Sequence, residues 1–190
     1  MKLLIIDNFD SFTYNLEHYA RKYCNNVIVK RNNELTLEQV NEFDSIIISP
    51  GPGLPKDAGI TMDIINNYSD SKKILGVCLG HQAIGENFGA KLNNLSEPLH
   101  GIAVTTYQNN IDEKFYNDIP NTFLSGRYHS WIIDKKSIEN LPFIITSTDE
   151  YGIIQSLKHK TFNLRSVQFH PESVLTEFGL KMIENWIKYC

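Results

Sequence analysis

Clusters of basic residues are missing from this chain. Its 18 Lys and Arg are scattered among 22 Asp and Glu, for a formal net charge of −4. Without a Lys/Arg stripe there is no electrostatic footprint for nucleic acid, so that partner is not expected. No apolar run approaches the ~20 residues that span a bilayer. The opening Leu3-Leu4-Ile5-Ile6 is too short to be the apolar core of a signal peptide. A membrane partner is therefore not expected either. Cysteine is scarce: Cys24, Cys78 and Cys190 stand at irregular spacing, with no CxxC pair. That pattern argues against a disulfide framework. The other histidines (His18, His81, His100, His129 and His159) show no metal-ligand spacing. No metal and no cofactor are expected, and a reducing cytoplasm is the natural compartment.

What is present is an ordinary globular balance, 42% hydrophobic and 21% charged over 190 residues. That length fits one α/β domain with a sizeable core, taken as residues 1–190. The first half alternates apolar runs with amphipathic stretches. Strands are predicted at Leu3–Ile6, Val27–Lys30, Ser45–Ser49 and Ile74–Val77. Helices are predicted at Phe12–Lys22 (capped by Asp10 or Ser11), Leu37–Glu42 (after the cap-like Thr36), Ile60–Tyr68 and Gly80–Phe88. Repeated strand–helix units with apolar strands imply an open, mostly parallel sheet with helices on both faces. The second half reads as short β-rich pieces: Ile102–Tyr107, Thr122–Leu124, Trp131–Ile133, Phe143–Ser147, Ile153–Leu157 and Leu164–Phe169. Some of these must be antiparallel additions at the sheet edge. A final amphipathic helix spans Leu175–Tyr189, with Leu180, Ile183, Trp186 and Ile187 on one face.

Gly76-Val77-Cys78-Leu79-Gly80 lies where a predicted strand turns into a helix. Glycines two residues to either side relieve the crowding of so sharp a turn. This is the pattern of a nucleophile elbow with Cys in place of Ser, and a helix N-terminus favours an anion there. Late in the chain, His170-Pro171-Glu172 follows a predicted strand. Two residues apart in an extended segment, His170 and Glu172 point to the same side. Cys78, His170 and Glu172 thus match the roles of nucleophile, base and orienter. The backbone N–H of Leu79 is the first oxyanion donor expected at an elbow. The second is expected from the stiff loop Pro50-Gly51-Pro52-Gly53-Leu54-Pro55, with Gly51 preferred over Gly53. Gln82, one helical turn past Cys78, has an amide suited to polar groups of a substrate. Ligands of open α/β sheets bind outside the carboxyl ends of the strands. The loops Asp7–Ser11, Pro50–Pro55, Cys78–Leu79 and His170–Glu172 are all expected there. Spacing alone leaves the reaction open between a cysteine hydrolase and an acyl transferase.

Together these segments resemble the class I (triad) glutamine amidotransferases over nearly the whole chain. Pro50-Gly51-Pro52-Gly53 is similar to that family's glutamine-site loop. Gly76-Val77-Cys78-Leu79-Gly80-His81-Gln82 is similar to its nucleophile motif, and Gln168-Phe169-His170-Pro171-Glu172-Ser173 to its His/Glu motif. The opening Asp7-Asn8-Phe9-Asp10-Ser11-Phe12-Thr13-Tyr14-Asn15 narrows the likeness to small subunits of chorismate-using synthases that make anthranilate or aminodeoxychorismate, and Arg127-Tyr128-His129-Ser130 is another family-like string. The resemblance implies a flavodoxin-like sheet, L-glutamine as substrate and a γ-glutamyl thioester on Cys78. It also implies ammonia delivery to a separate chorismate-binding large subunit. Gly51, Pro52, Gly53, Gln82 and the backbone of Ser130 and Trp131 would hold the glutamine. Two positions depart from the family: Trp131 replaces an aliphatic residue, and His100-Gly101-Ile102 lacks a lysine at its third place. The alternatives are a stand-alone γ-glutamyl hydrolase and a non-catalytic partner-binding module on the same fold.

Overall fold

Successive residues of the strand Leu3–Asp7 (β1) bury their side chains in two different cores. Leu3 and Ile5 face one, Leu4 and Ile6 the other, as the two-residue period of a strand requires. A strand buried on both sides needs a covering layer on each face. The computed structural model, which describes residues 1–109 and 112–190, supplies both. The helices Thr13–Arg21 (α1) and Gly179–Tyr189 (α5) cover the first face through Leu16, Ala20, Met182, Ile183 and Trp186. The helices Leu37–Val40 (α2), Thr61–Tyr68 (α3) and Leu79–Asn87 (α4) cover the second through Val40, Ile64, Ile65, Ala83 and Ile84.

Among the described residues, nine strands form one sheet in the order β2-β1-β3-β4-β9-β8-β7-β5-β6. Val27–Arg31 (β2), β1, Ser45–Ile48 (β3), Lys73–Val77 (β4) and Leu164–Val167 (β9) run parallel. Ile154–His159 (β8), Phe143–Asp149 (β7), Leu92–Gln108 (β5) and Thr122–Ile133 (β6) extend the sheet with antiparallel pairing. The expected architecture is therefore present: parallel strands, helices on both faces and antiparallel additions on one side.

The second half departs from the sequence expectation in detail. Thr122–Leu124 and Trp131–Ile133 are the two ends of one 12-residue strand. Its middle, Ser125 to Ser130, is polar yet mostly buried, so it carries no apolar alternation. The strand β5 begins ten residues before the expected Ile102, at Leu92. From Leu92 to Ile102 no residue is fully buried, and pairing to β6 with two bulges holds the segment. The last helix starts at Gly179 rather than Leu175, and β9 ends at Val167 rather than Phe169. Leu180 is only half-buried and Met182 takes its place in the core. Thr36 caps α2 as expected, in a reciprocal capping box with Gln39. Helix α1 has no side-chain cap. Asp10 instead accepts the Phe12 N–H at 2.8 Å, one residue before the helix begins. Cys24 is buried in the core, and Cys190 is half-buried.

Candidate active site

Four neighbouring parallel strands, β1, β3, β4 and β9, release their chains at the same edge of the sheet. The loop after β4 is the sharpest. Cys78 has φ 52° and ψ −98°, a left-handed conformation that side chains other than glycine rarely adopt. Two bonds keep it there: the Cys78 N–H donates to Val167 at 2.8 Å, and its carbonyl accepts from the Gln82 N–H at 3.1 Å. The flanking glycines are forced by contact. A Cβ on Gly76 would stand 2.5 Å from the Gly80 carbonyl oxygen, and one on Gly80 would stand 2.5 Å from that of Ile48. Strand, turn and helix thus close on one another as the elbow pattern requires.

After β9 the chain turns at His170-Pro171-Glu172. His170 donates its N–H to the Gly126 carbonyl at 3.1 Å, and its own carbonyl accepts the Thr176 hydroxyl at 2.6 Å. Any side chain on Gly179 would collide with Pro171, so α5 starts on a glycine seated against this turn. In the imidazole, Nδ1 lies 2.8 Å from Glu172 Oε1, and Nε2 has no hydrogen-bonding partner among the described residues. Both side chains are buried. Burial alone would push the His170 pKa down. The Cys78 sulfur and the Glu172 carboxylate outweigh it and hold the pKa well above the ordinary imidazole value. Phe12 and Tyr128 pack their rings 5.7 and 4.9 Å from the His170 ring. Asp10 adds a second carboxylate: one of its oxygens, one of Glu172 and a ring nitrogen of His170 lie within 4.8 Å of one another. Within this group only His170 and Glu172 bond to each other, and the Asp10 carboxylate accepts the Phe12 N–H instead.

A cavity of about 220 Å³ opens over the sulfur, lined by Gly51, Cys78, Gln82, His129, Ser130 and Trp131 among others. Pro52 and Gly53 complete its rim. A second cavity, about 350 Å³, shares Gly51, Cys78 and Tyr128 with the first and reaches Asp10, His100 and His170. Most of the residues expected at the site line one cavity or the other, and Leu79 and Glu172 adjoin them. Gly51, Pro52, Gly53, Cys78, Gln82, Ser130 and Trp131 line the first cavity, and His170 lines the second. Glu172 binds His170, and Leu79 follows Cys78. Leu79 is the first residue of α4, whose N–H has no acceptor within the helix. Gly51 is pressed against it, since a Cβ on Gly51 would stand 2.8 Å from Leu79 Cδ2 and 2.7 Å from the Asn8 carbonyl oxygen.

Gln82 lines the cavity with its side-chain amide already partly engaged. Its side-chain nitrogen donates to the Trp131 carbonyl at 2.9 Å and lies 3.4 Å from Gln168 Oε1. That nitrogen serves the protein, which leaves only its oxygen for a ligand. Several residues beneath the site lie in the family-like strings, but the sequence assigns them no role. Asn8 donates to the Ser49 carbonyl and accepts from Asn32 and Thr61, fixing the start of the Pro50 loop. Arg127, wholly buried, pairs with Asp149 and lies 3.5 Å from His129 Nε2. Burial, helped by Arg127, pushes the pKa of both His81 and His129 down to about 3, so both rings are neutral. No periodicity in the sequence marks Arg127 and His129 as buried, since their partners come from the fold.

Comparison with known proteins agrees with this geometry. Residues 4–189 match the family described as glutamine amidotransferase class-I. The chain is 45% identical to an anthranilate synthase component 2 from Pyropia yezoensis, covering 98% of this chain and 99% of that one. It is 38% identical to an aminodeoxychorismate synthase component 2 from Escherichia coli, covering 97% and 98%. Among solved structures, a glutamine amidotransferase from Thermotoga maritima superposes with a TM-score of 0.75. That match spans 99% of this chain and 81% of that one at 16% identity, a likeness of fold. The elbow cysteine, the histidine–glutamate turn and the matched sequence together make this chain a member of the class I glutamine amidotransferase family.

Proposed function

We propose that this protein is the glutamine-hydrolysing subunit of a chorismate-using synthase, with Cys78 as nucleophile and His170 and Glu172 as its base and orienter. The observation that carries the reading is the His170 ring. Its Nδ1 is bound to Glu172, its Nε2 has no partner among the described residues, and His170 lines a cavity that Cys78 also lines. In this mechanism the Cys78 sulfur attacks the side-chain amide carbon of L-glutamine. The carbonyl oxygen gains charge and is held by the N–H groups of Leu79 and Gly51. As the carbon–nitrogen bond breaks, His170 gives its proton to the departing ammonia, leaving a γ-glutamyl thioester. Water then adds to the thioester carbon, passing a proton to His170, and the carbon–sulfur bond breaks to release glutamate.

Glutamine occupies the first cavity against Gly51, Pro52, Gly53, the Gln82 oxygen and the backbone of Ser130 and Trp131. Ammonia leaves through the second cavity, past Asp10 and His100. Relatives named component 2 of anthranilate and of aminodeoxychorismate synthase support a large component 1 as partner. A cytoplasmic location suits a site that depends on a free thiol. No helix is long and apolar enough to cross a membrane among the described residues. The test is Cys78→Ala in the complex with the large subunit. Glutamine-dependent synthesis should be abolished and ammonia-dependent synthesis kept. Retention of glutamine-dependent turnover would refute the assignment.

A further inference from the structure

A buried chain of amide groups fixes which atom of Gln168 meets the reactive sulfur. The Trp131 carbonyl oxygen can only accept, so the Gln82 atom 2.9 Å away from it is the NH₂ nitrogen. That nitrogen lies 3.4 Å from the side chain of Gln168, which must therefore present its oxygen there. The Gln168 NH₂ is then turned to Cys78, with Nε2 3.7 Å from Sγ. Neither amide can flip without setting two donors or two acceptors against each other. Gln168 has no exposed surface, and its NH₂ donates to no other group among the described residues. With the sulfur protonated and turned away, a buried donor would be left without an acceptor.

We propose that Gln168 is a further catalytic residue, whose side-chain amide donates to the Cys78 sulfur and stabilises it as an anion. Gln82 is its positioning residue, anchored on the Trp131 carbonyl. The donor acts at two points. Before attack it holds the sulfur charge from a direction separate from His170. During hydrolysis of the thioester the carbon–sulfur bond breaks and its electron pair returns to sulfur, where the same N–H meets the reappearing charge. A hydrogen bond of this kind to a charged group corresponds to roughly tenfold or more in rate. The proposal rests on Cys78 being the nucleophile.

The test compares the parent protein with Gln168→Leu and Gln168→Glu. Alkylation of Cys78 by iodoacetamide is followed between about pH 5 and pH 9, with the Cys78 peptide resolved by mass spectrometry from those of Cys24 and Cys190. Glutaminase kcat and KM are measured in the complex. For Gln168→Leu the alkylation profile should move to higher pH and kcat should fall roughly tenfold, with KM little changed. Gln168→Glu keeps the shape of the side chain. Its protonated carboxyl can donate to sulfur and accept from Gln82, so its activity relative to the parent should recover as pH falls. An alkylation profile of Gln168→Leu that superimposes on the parent overturns the proposal. If that variant does not fold, a Gln168→Glu activity profile parallel to the parent overturns it. Cys78→Ala separates the two readings. Full glutamine-dependent activity there removes the nucleophile itself. Loss there combined with unchanged Gln168 variants removes only the role of Gln168.

Discussion

Arg127 and Asp149 form an ion pair at 3.0 Å in which neither side chain has any exposed surface. The pair ties the strand β6 to the turn that joins β7 to β8. Asp149 Oδ2 takes the guanidinium, while Oδ1 accepts the N–H groups of Tyr151 and Ile153 at 3.0 and 2.8 Å. Asp149→Asn keeps the turn bonds and removes the charge. It should destabilise the protein by about 3–5 kcal/mol, because the Arg127 cation is left buried and uncompensated. Adding Arg127→Met to Asp149→Asn, which leaves those turn bonds in place, should restore much of the loss. Chemical denaturation of the single and double variants checks this. Equal stability of Asp149→Asn and the parent would show that the pair contributes nothing.

The parallel half of the molecule was legible in the sequence because burial on both faces leaves unbroken apolar runs. Leu3 to Ile6 and Ile46 to Ile48 are such runs. The elbow and the His170–Glu172 pair were legible because so sharp a turn demands glycines at Gly76 and Gly80, and because His170 and Glu172 share one side of a turn. The arm Leu92–Ile102 was not legible, since it buries no side chain fully and is ordered by backbone pairing to β6. Nor was the polar floor. Ser125, Arg127 and His129 fall between the predicted strands Thr122–Leu124 and Trp131–Ile133, yet they are buried, and Ser125 and Arg127 find partners far away in sequence. Gln168 stands two residues before His170, so the spacing that linked His170 to Glu172 pointed to it as well. Its meaning depends on Gln82 and Trp131, which only the fold brings near.

Acid should unfold this protein sooner than its carboxylates alone would. His81 and His129 are held neutral, with pKa values pushed down to about 3 by burial and by Arg127. In the unfolded chain each takes up a proton near pH 6.5, so the unfolded state binds more protons below about that point. Stability therefore falls with pH from about 6.5 towards 3, by about 1.4 kcal/mol per unit for each ring. His170 has the opposite sign. Its raised pKa contributes stability fully present below about 6.5 and lost as pH rises through the folded-state value. Melting temperatures across this range should decline on the acid side. A flat profile from neutral pH to about pH 5 would contradict the neutral assignment of the two rings.

The two glycines of the Pro50 loop should respond differently to alanine. A Cβ on Gly51 meets Asn8 Cβ at 2.6 Å and Leu79 Cδ2 at 2.8 Å, so the backbone there must move away from Leu79. Gly51→Ala should lower kcat by about 10²-fold, as loss of an oxyanion donor does. Gly53 has φ 76°, and a Cβ there would meet nothing within 4 Å. Gly53→Ala should cost only about 1–2 kcal/mol of backbone strain, with a smaller change in kcat. Steady-state glutaminase kinetics of both variants distinguish the roles. Equal losses of kcat would remove the preference for Gly51 as the second donor.

Glu172 touches His170 but lines neither cavity, so its removal should act on kcat and spare KM. Its Oε1 holds Nδ1 at 2.8 Å, and its Oε2 has no hydrogen-bonding partner among the described residues. Glu172→Gln keeps the volume and removes the charge that favours the imidazolium. If the new NH₂ faces the ring, Nδ1 must accept and the proton moves to Nε2, the wrong place for a base. Either orientation should lower kcat by about 10²–10⁴-fold. The His170 pKa should fall as well, because burial then acts with less opposition. The ring titration can be read by nuclear magnetic resonance on the same variant. A normal kcat with an unshifted titration would mean that Glu172 neither orients nor charges the ring, and His170 would have to act without it.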